Sequence, residues 1–165
     1  MLKEQLDQFM RSFEREHLDF DLFVTFEHVL VYEKNFKAVG YSEEQGIRDL
    51  LAYLGRAGWE LKEEDGLVVG AKKDKQEVSL GLGGQVKWTY GPFFEMADID
   101  QAYLGFIEAL YDELRRRGMT LLATGHQPVS TFSDIETIPT EANKCMLEYA
   151  KDNAALLDYL ALSAK

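Results

Sequence analysis

Apolar residues recur along the chain in a helical period in four places. Each stretch places aliphatic and aromatic side chains on one face, three or four residues apart. Ser42 is expected to cap the second helix and Gly118 to end the third in a left-handed conformation. The predicted helices cover about residues 3–16, residues 42 to 55 or 58, residues 98–118 and residues 140–162.

The remaining apolar runs are typical of strands. Residues 19–33 form a dense β-branched and aromatic run, which predicts a long central strand. Between residues 59 and 90, short apolar runs alternate with turn residues, and Asp65-Gly66 is a strong hairpin signal. Three or four antiparallel strands are therefore expected there. Residues 119–124 predict a further strand, and residues 125–139 a polar loop.

This order of elements predicts an α+β fold, an antiparallel sheet with helices mainly on one face. The chain has 165 residues, of which 46% are hydrophobic and 12% aromatic, enough to fill one core. No repeat or linker interrupts it. We therefore expect a single domain over residues 1–165.

Charge and cysteine content narrow the class of protein. The net charge of −11 argues against nucleic acid as a partner, because phosphate binding needs a basic surface. The basic run Arg115–Arg117 falls at the end of a predicted helix, where cations favour the helix dipole. No apolar run is long enough for a membrane span, and the N-terminus lacks a signal peptide's apolar block. With Cys145 as the single cysteine, the expected location is the cytoplasm and no membrane partner is expected.

Five short motifs follow one another in order over about residues 20–150. They are Phe26-Glu27-His28, the segment 37–47, Gly83-Gly84-Gln85, Gly125-His126-Gln127-Pro128, and Ile138-Pro139 with Met146 and Tyr149. In this order they resemble segments of the plant and bacterial type of glutamate-cysteine ligase. On this resemblance the chain is identified as a truncated, degenerate member of that family, which implies a glutamine-synthetase-like half domain and a link to glutathione biosynthesis.

The same resemblance shows where this chain departs from the ligases. The family uses ATP and magnesium to phosphorylate the γ-carboxylate of glutamate, which an amine then attacks. Of the carboxylates that serve magnesium there, only Glu27 remains, since Thr25, Gly81 and Lys87 stand at the other matching positions. Further departures from the family pattern fall at Phe23, Leu82, Ala142 and Asn143.

Lys87 is the most consequential of these departures. An ammonium about 4 Å from a divalent cation, at an effective dielectric near 20, is repelled by roughly 8 kcal/mol. We therefore expect no magnesium or ATP cofactor, no metal ligands and no catalytic residues. If Glu27 and Lys87 lie on neighbouring strands and face the same side, they form an ion pair in place of the metal. The alternative is that Lys87 points to solvent.

The predicted function is that of a noncatalytic, ligase-derived binding or regulatory protein. Its ligand-binding candidates are Glu27, Gln85, Lys87 and His126, and the expected ligand is a small anion. The apolar C-terminal helix is the expected surface for a homodimer or a protein partner. One alternative is an active ATP-dependent carboxylate-amine ligase completed by a partner chain, or an enzyme repurposed for a metal-free transfer. Another is an α+β domain unrelated to the ligases.

Overall fold

An antiparallel six-stranded sheet organises the computed structural model, which describes residues 2–11 and 22–164. The strands are β1 (Leu22–Tyr32), β2 (Glu60–Glu64), β3 (Leu67–Lys73), β4 (Gln76–Leu80), β5 (Val86–Phe93) and β6 (Met119–Leu122), in the spatial order β2-β3-β4-β5-β1-β6. The helices are α1 (Leu2–Arg11), α2 (Ile47–Arg56), α3 (Met96–Arg116), α4 (Glu141–Ala150) and α5 (Ala154–Ser163). This confirms the predicted α+β class. No helix in the described ranges is long and apolar enough to cross a membrane.

Helices α2 and α3 pack on one face of the sheet and enclose the core. Successive side chains of a strand point to opposite faces, so alternate residues of β1 and β5 meet these helices. Trp88 of β5 is fully buried, and its ring stacks on Phe106 of α3 with the ring centroids 5.7 Å apart. The other residues of the two strands point to the opposite side. We call that side the open face and define it by Thr25, Glu27, Lys87 and Thr89.

The strand predictions between residues 59 and 90 are confirmed. Strands β2 to β5 follow one another in antiparallel pairs, four strands in all. Asp65 and Gly66 have φ values of 53° and 76°, the two positive values that a tight hairpin turn of this twist requires. Gly118 ends α3 with φ of 66°, as expected. These turns were predictable because the conformation itself selects the residue type.

The predicted N-cap of the second helix is wrong by four residues. Gly46 is the N-cap residue, and Ser42 lies before the helix, where its N–H donates to Oε2 of Glu136 at 2.8 Å. Gln45 adopts a φ of 62°, which keeps the preceding segment out of the helix, and its N–H donates to Oδ2 of Asp49 at 2.9 Å. The segment before α2 is therefore held by two carboxylates, that of Glu136, which is distant in sequence, and that of Asp49, which lies within α2.

The predicted C-terminal helix is two helices. Asn153 lies between α4 and α5 and is the N-cap residue of α5. Its Oδ1 accepts a hydrogen bond from the N–H of Leu156 at 3.1 Å. Asn competes for backbone donors in this way and is favoured at caps over helix interiors. The predicted N-terminal helix over residues 3–16 is described as far as Arg11. Its remaining residues, and residues 19–21 of the predicted central strand, lie outside the described residues.

A buried ion cluster joins the end of α3 to the start of α2. Arg117, whose side chain is 3% exposed, donates to the carbonyl oxygen of Gln45 at 2.7 Å and to that of Asp49 at 3.3 Å. Glu113 accepts hydrogen bonds from Arg116 and Arg117. These bonds, that from Arg116 first, lower the pKa of Glu113 to about 2. The basic run thus anchors two helices, beyond the dipole role expected for it.

Replacing Glu113 with Gln should destabilise the protein in a pH-dependent way. Because the folded pKa of Glu113 is about 2 against an ordinary 4.5, its stabilisation is fully present above about pH 4.5 and is lost as the pH falls through 2. Urea unfolding should show a loss on the order of 2 kcal/mol at pH 7. The difference from wild type should shrink steadily below pH 4.5. Glu108→Gln, at an exposed position of the same helix, is the control and should change little. A Glu113→Gln deficit that is independent of pH would contradict this account.

Candidate functional site

Glu27 and Lys87 form an ion pair on the open face. They are directly opposite each other in the β1–β5 ladder, and Nζ of Lys87 lies 3.4 Å from Oε2 of Glu27. Their side chains are 43% and 38% exposed. The predicted pairing is confirmed, and the alternative in which Lys87 points away into solvent is not observed. The ammonium of Lys87 therefore lies beside the carboxylate of Glu27.

This pair belongs to a row of residues that crosses the sheet from β2 to β1. Pairing in the successive ladders places Lys62, Gly70, Ser79, Lys87 and Glu27 side by side. All of these residues consequently share the open face. The row carries two cations, one carboxylate, one hydroxyl and a glycine that leaves the centre shallow.

The next row on the open face supplies Glu77, a carboxylate that pairs with Lys62. Oε1 of Glu77 lies 2.6 Å from Nζ of Lys62, and the hydroxyls of Thr25 and Thr89 are 2.9 Å apart. Lys62 therefore has a carboxylate within ion-pair distance, as Lys87 does. The region is polar and accessible, and Lys62 and Lys87 each lie within ion-pair distance of a carboxylate.

The donor set of the open face does not fit magnesium. This ion needs several hard oxygen ligands in near-octahedral geometry. Glu27 and Glu77 are each engaged by a lysine ammonium, which repels a divalent cation. Across residues 2–11 and 22–164, no three side chains of the His, Cys, Asp or Glu type come together as a possible metal site.

Gln85 lies at the turn between β4 and β5 with its amide engaged inside the protein. Its side chain is buried; Oε1 accepts from the N–H of Gly83 at 3.1 Å, and Nε2 donates to the carbonyl oxygen of Ser163 at 2.7 Å. A Cβ atom on Gly83 would lie 2.0 Å from the carbonyl oxygen of Ala164. The Gly83-Gly84-Gln85 turn therefore receives the end of α5.

His126 lies on the exposed part of the loop after β6. Its carbonyl oxygen accepts from the hydroxyl of Thr124 at 3.0 Å, and the neighbouring Gln127 is buried and donates to the carbonyl oxygen of Phe36 at 3.1 Å. Among the described residues, no hydrogen bond or ion pair joins His126 to the open-face pair. Of the four candidates, the structure brings together Glu27 and Lys87 only.

A buried polar pair lies on the opposite side of β1. His28 is 1% exposed, and its Nε2 lies 2.7 Å from the hydroxyl oxygen of Tyr103 in α3. Burial lowers the pKa of His28, so the imidazole is neutral at pH 7. The burial of His28 could be predicted from the sequence, because residues two apart in a strand point to the same face and Leu30 belongs to the core.

Comparison with known proteins gives a partial sequence relationship. No family profile matches the chain. It is 32% identical over 108 residues to glutamate-cysteine ligase A, chloroplastic, from the japonica and indica subspecies of Oryza sativa, and to glutamate-cysteine ligase B, chloroplastic, from the japonica subspecies. The alignment covers 62% of this chain and 21% of each relative, so the chain spans about a fifth of the relatives' length. These matches support a ligase-like relationship.

Gly83→Ala should release the end of α5 from the turn. The added Cβ would overlap the carbonyl of Ala164, and a backbone oxygen cannot move aside as a flexible side chain does. We expect a loss of about 1–3 kcal/mol in the free energy of unfolding. Amide hydrogen exchange should also accelerate within residues 154–164. Gly125→Ala is the matched control, because no atom lies within 4 Å of the position that its added Cβ would take. Equal behaviour of the two variants would show that this close approach is unimportant.

Proposed function

We propose that this chain is a noncatalytic, ligase-derived binding protein that lacks a magnesium–ATP site. The observation that carries the proposal is the Glu27–Lys87 ion pair, with Nζ and Oε2 3.4 Å apart. The resemblance places two magnesium-binding carboxylates at the positions of Gly81 and Lys87. A glycine and an ammonium at these positions leave no donor for the metal that the transfer of a phosphoryl group requires. The proposal assigns no catalytic residue, no metal ligand and no cofactor.

The proposed ligand is a small anion that binds at Lys87. An ammonium has three donors, and Glu27 is the one acid within ion-pair distance of Lys87 in the described part of the chain. The hydroxyl-bearing residues Ser79 and Thr89 flank Lys87 on the same face. A carboxylate or phosphate can therefore share the ammonium and accept from a neighbouring hydroxyl. The relatives' names mention glutamate and cysteine, which makes an amino-acid carboxylate the first choice.

Among the four candidates, Lys87 and Glu27 keep this role in the proposal. Gln85 supports the turn beneath the site, since both ends of its amide bond to the protein. His126 is a candidate contact from the exposed loop.

A second candidate is an active ligase completed by a partner chain. It is favoured by one fact, that the aligned segment covers 21% of each relative. The surface proposed for a partner or a second copy of this chain is α5, where Tyr159 and Leu162 are 65% and 73% exposed. The charge of −11 keeps nucleic acid outside both proposals.

Calorimetric titration tests the loss of the magnesium–ATP site. Wild type should give no binding heat with magnesium–ATP, because its open-face carboxylates are engaged by lysines. Lys87→Glu should gain weak magnesium binding, because it places a second carboxylate beside Glu27 and removes the repelling cation. Lys62→Glu is the control, since it makes the same exchange beside Glu77 and away from the positions that match the ligases. Tight magnesium–ATP binding by wild type would overturn the proposal and favour the ligase.

A separate titration with L-glutamate and with inorganic phosphate tests the anion. Binding should be lost in Lys87→Ala and kept in Lys62→Ala, because the two lysines are similarly exposed but only the first lies at the proposed site. Both variants should retain the wild-type unfolding transition, as half-exposed ion pairs contribute about 0–1 kcal/mol. Equal loss in the two variants would show nonspecific attraction and reject the assignment of Lys87.

A further inference from the structure

A groove runs between α3 and β6, on the far side of the sheet from the open face. It has a volume of about 250 Å³. Its walls are largely apolar, with Leu104, Ile107 and Tyr111 from α3 and Met119 and Leu121 from β6. Leu104 and Tyr111 are 59% and 56% exposed, which is unusual for side chains that line a concave apolar surface.

The strand on one side of this groove is an edge strand with unpaired backbone groups. The N–H of Glu33 donates to the carbonyl oxygen of Gly118 at 2.9 Å, and this bond fixes the phase of the β1–β6 ladder. Hydrogen-bonded pairs alternate in an antiparallel ladder, so Thr120 and Leu122 bond to β1. Met119 and Leu121 consequently direct their N–H and C=O groups away from the sheet. Met119 is only 2% exposed, so the partly exposed Leu121 is the residue of this edge that an added strand can reach. No loop or turn of residues 2–11 and 22–164 bonds to its outward backbone groups.

We propose that this groove binds an extended peptide segment, which adds to β6 as a seventh strand. The backbone of the segment pairs with the outward N–H and C=O groups of Leu121 and its neighbours. Every second side chain of an added strand points to the same side, and here that side is the groove. The groove volume suits one or two aliphatic side chains.

The floor of the groove carries no ionised group. Nε2 of His28 and the hydroxyl oxygen of Tyr103 lie 2.7 Å apart, and the buried Nδ1 of His28 has no hydrogen-bond partner among the described residues. The imidazole is buried and uncharged at neutral pH, so no buried charge awaits a counterion.

The rim of the groove favours a basic segment as the partner. Glu108 is exposed and lies on α3 four residues after Leu104 and three before Tyr111, which places it beside both. Asp112, also exposed, follows Tyr111 directly, and Glu33 lines the groove itself. Arg115 is the opposing cation. Lysine or arginine between the apolar residues of the segment would complement these acids, and the net charge of −11 attracts such a segment. A second copy of this chain would instead bring two acidic rims together.

The test uses a fluorescein-labelled heptapeptide in which lysine alternates with valine and leucine. The peptide should bind with saturation in fluorescence anisotropy. Amide hydrogen exchange of Leu121 should be fast in the free protein and slow at saturation, whereas Thr120 should be protected in both states because it bonds to β1. Unchanged exchange of Leu121 at saturation would overturn the proposal.

Two modified peptides examine the backbone pairing and the charge. Alternate N–H groups of an extended peptide point to its two opposite edges, so one peptide is N-methylated at the odd residues and the other at the even residues. The peptide that loses the N–H groups facing β6 should bind at least tenfold more weakly, and the other should bind as the parent peptide does. A peptide with glutamate in place of lysine should bind at least tenfold more weakly. Equal binding of both methylated peptides, or of the glutamate peptide, would reject an added basic strand.

Protein variants locate the peptide on the groove. Leu104→Ser removes an exposed apolar group from the wall and should weaken binding at least tenfold, with the fold retained because the side chain is 59% exposed. Leu162→Ser on α5 is the control, since Leu162 is 73% exposed outside the groove, and it should bind as wild type does. Equal effects of the two substitutions would place the peptide elsewhere.

Discussion

The register between β1 and β5 is the constraint on which the rest of the molecule depends. With Glu27 opposite Lys87, the residues on either side of this pair, Phe26 and Trp88 among them, face the helices. A shift of one residue in either strand would turn Trp88 towards solvent and carry a charge into the core. The buried aromatic packing therefore fixes the position of the ion pair, although the pair itself contributes little stability. The polar chemistry of the open face is in this sense a consequence of the core on the other face.

The elements that could be predicted are those whose local sequence has one stable conformation. Asp65-Gly66 and Gly118 adopt the left-handed conformations that their residue types favour. The pairing of Glu27 with Lys87 was predicted only on the condition that their strands are neighbours and that both face the same side, and this condition is met. The errors fall where distant residues decide. Ser42 bonds to Glu136, which is 94 residues away, and no local pattern reports that contact.

The candidate site shows the same division between what is local and what is not. Glu27 and Lys87 both lie on predicted strands, but whether they pair or Lys87 points to solvent depends on the strand order, which the structure supplies. Gln85 and His126 lie on connections, where direction depends on what each connection packs against. Gln85 turns inward because the end of α5 reaches the turn, and no sequence signal near Gln85 reports α5. The groove beside β6 was likewise hidden, since it joins residues 104–115 of a helix to an edge strand.

The two faces of the sheet invite different kinds of interaction for a physical reason. On the open face, Lys87 and Lys62 are each already paired with a carboxylate. An anion that binds there must compete with a half-exposed ion pair, which contributes about 0–1 kcal/mol to stability. Such competition favours a small, multiply accepting anion over a neutral molecule. At the edge beside β6 no ion pair of the described residues has to be displaced, and the walls at Leu104 and Tyr111 are exposed. A polypeptide bound there would gain both hydrogen bonds and apolar burial, which is the combination that strand addition supplies.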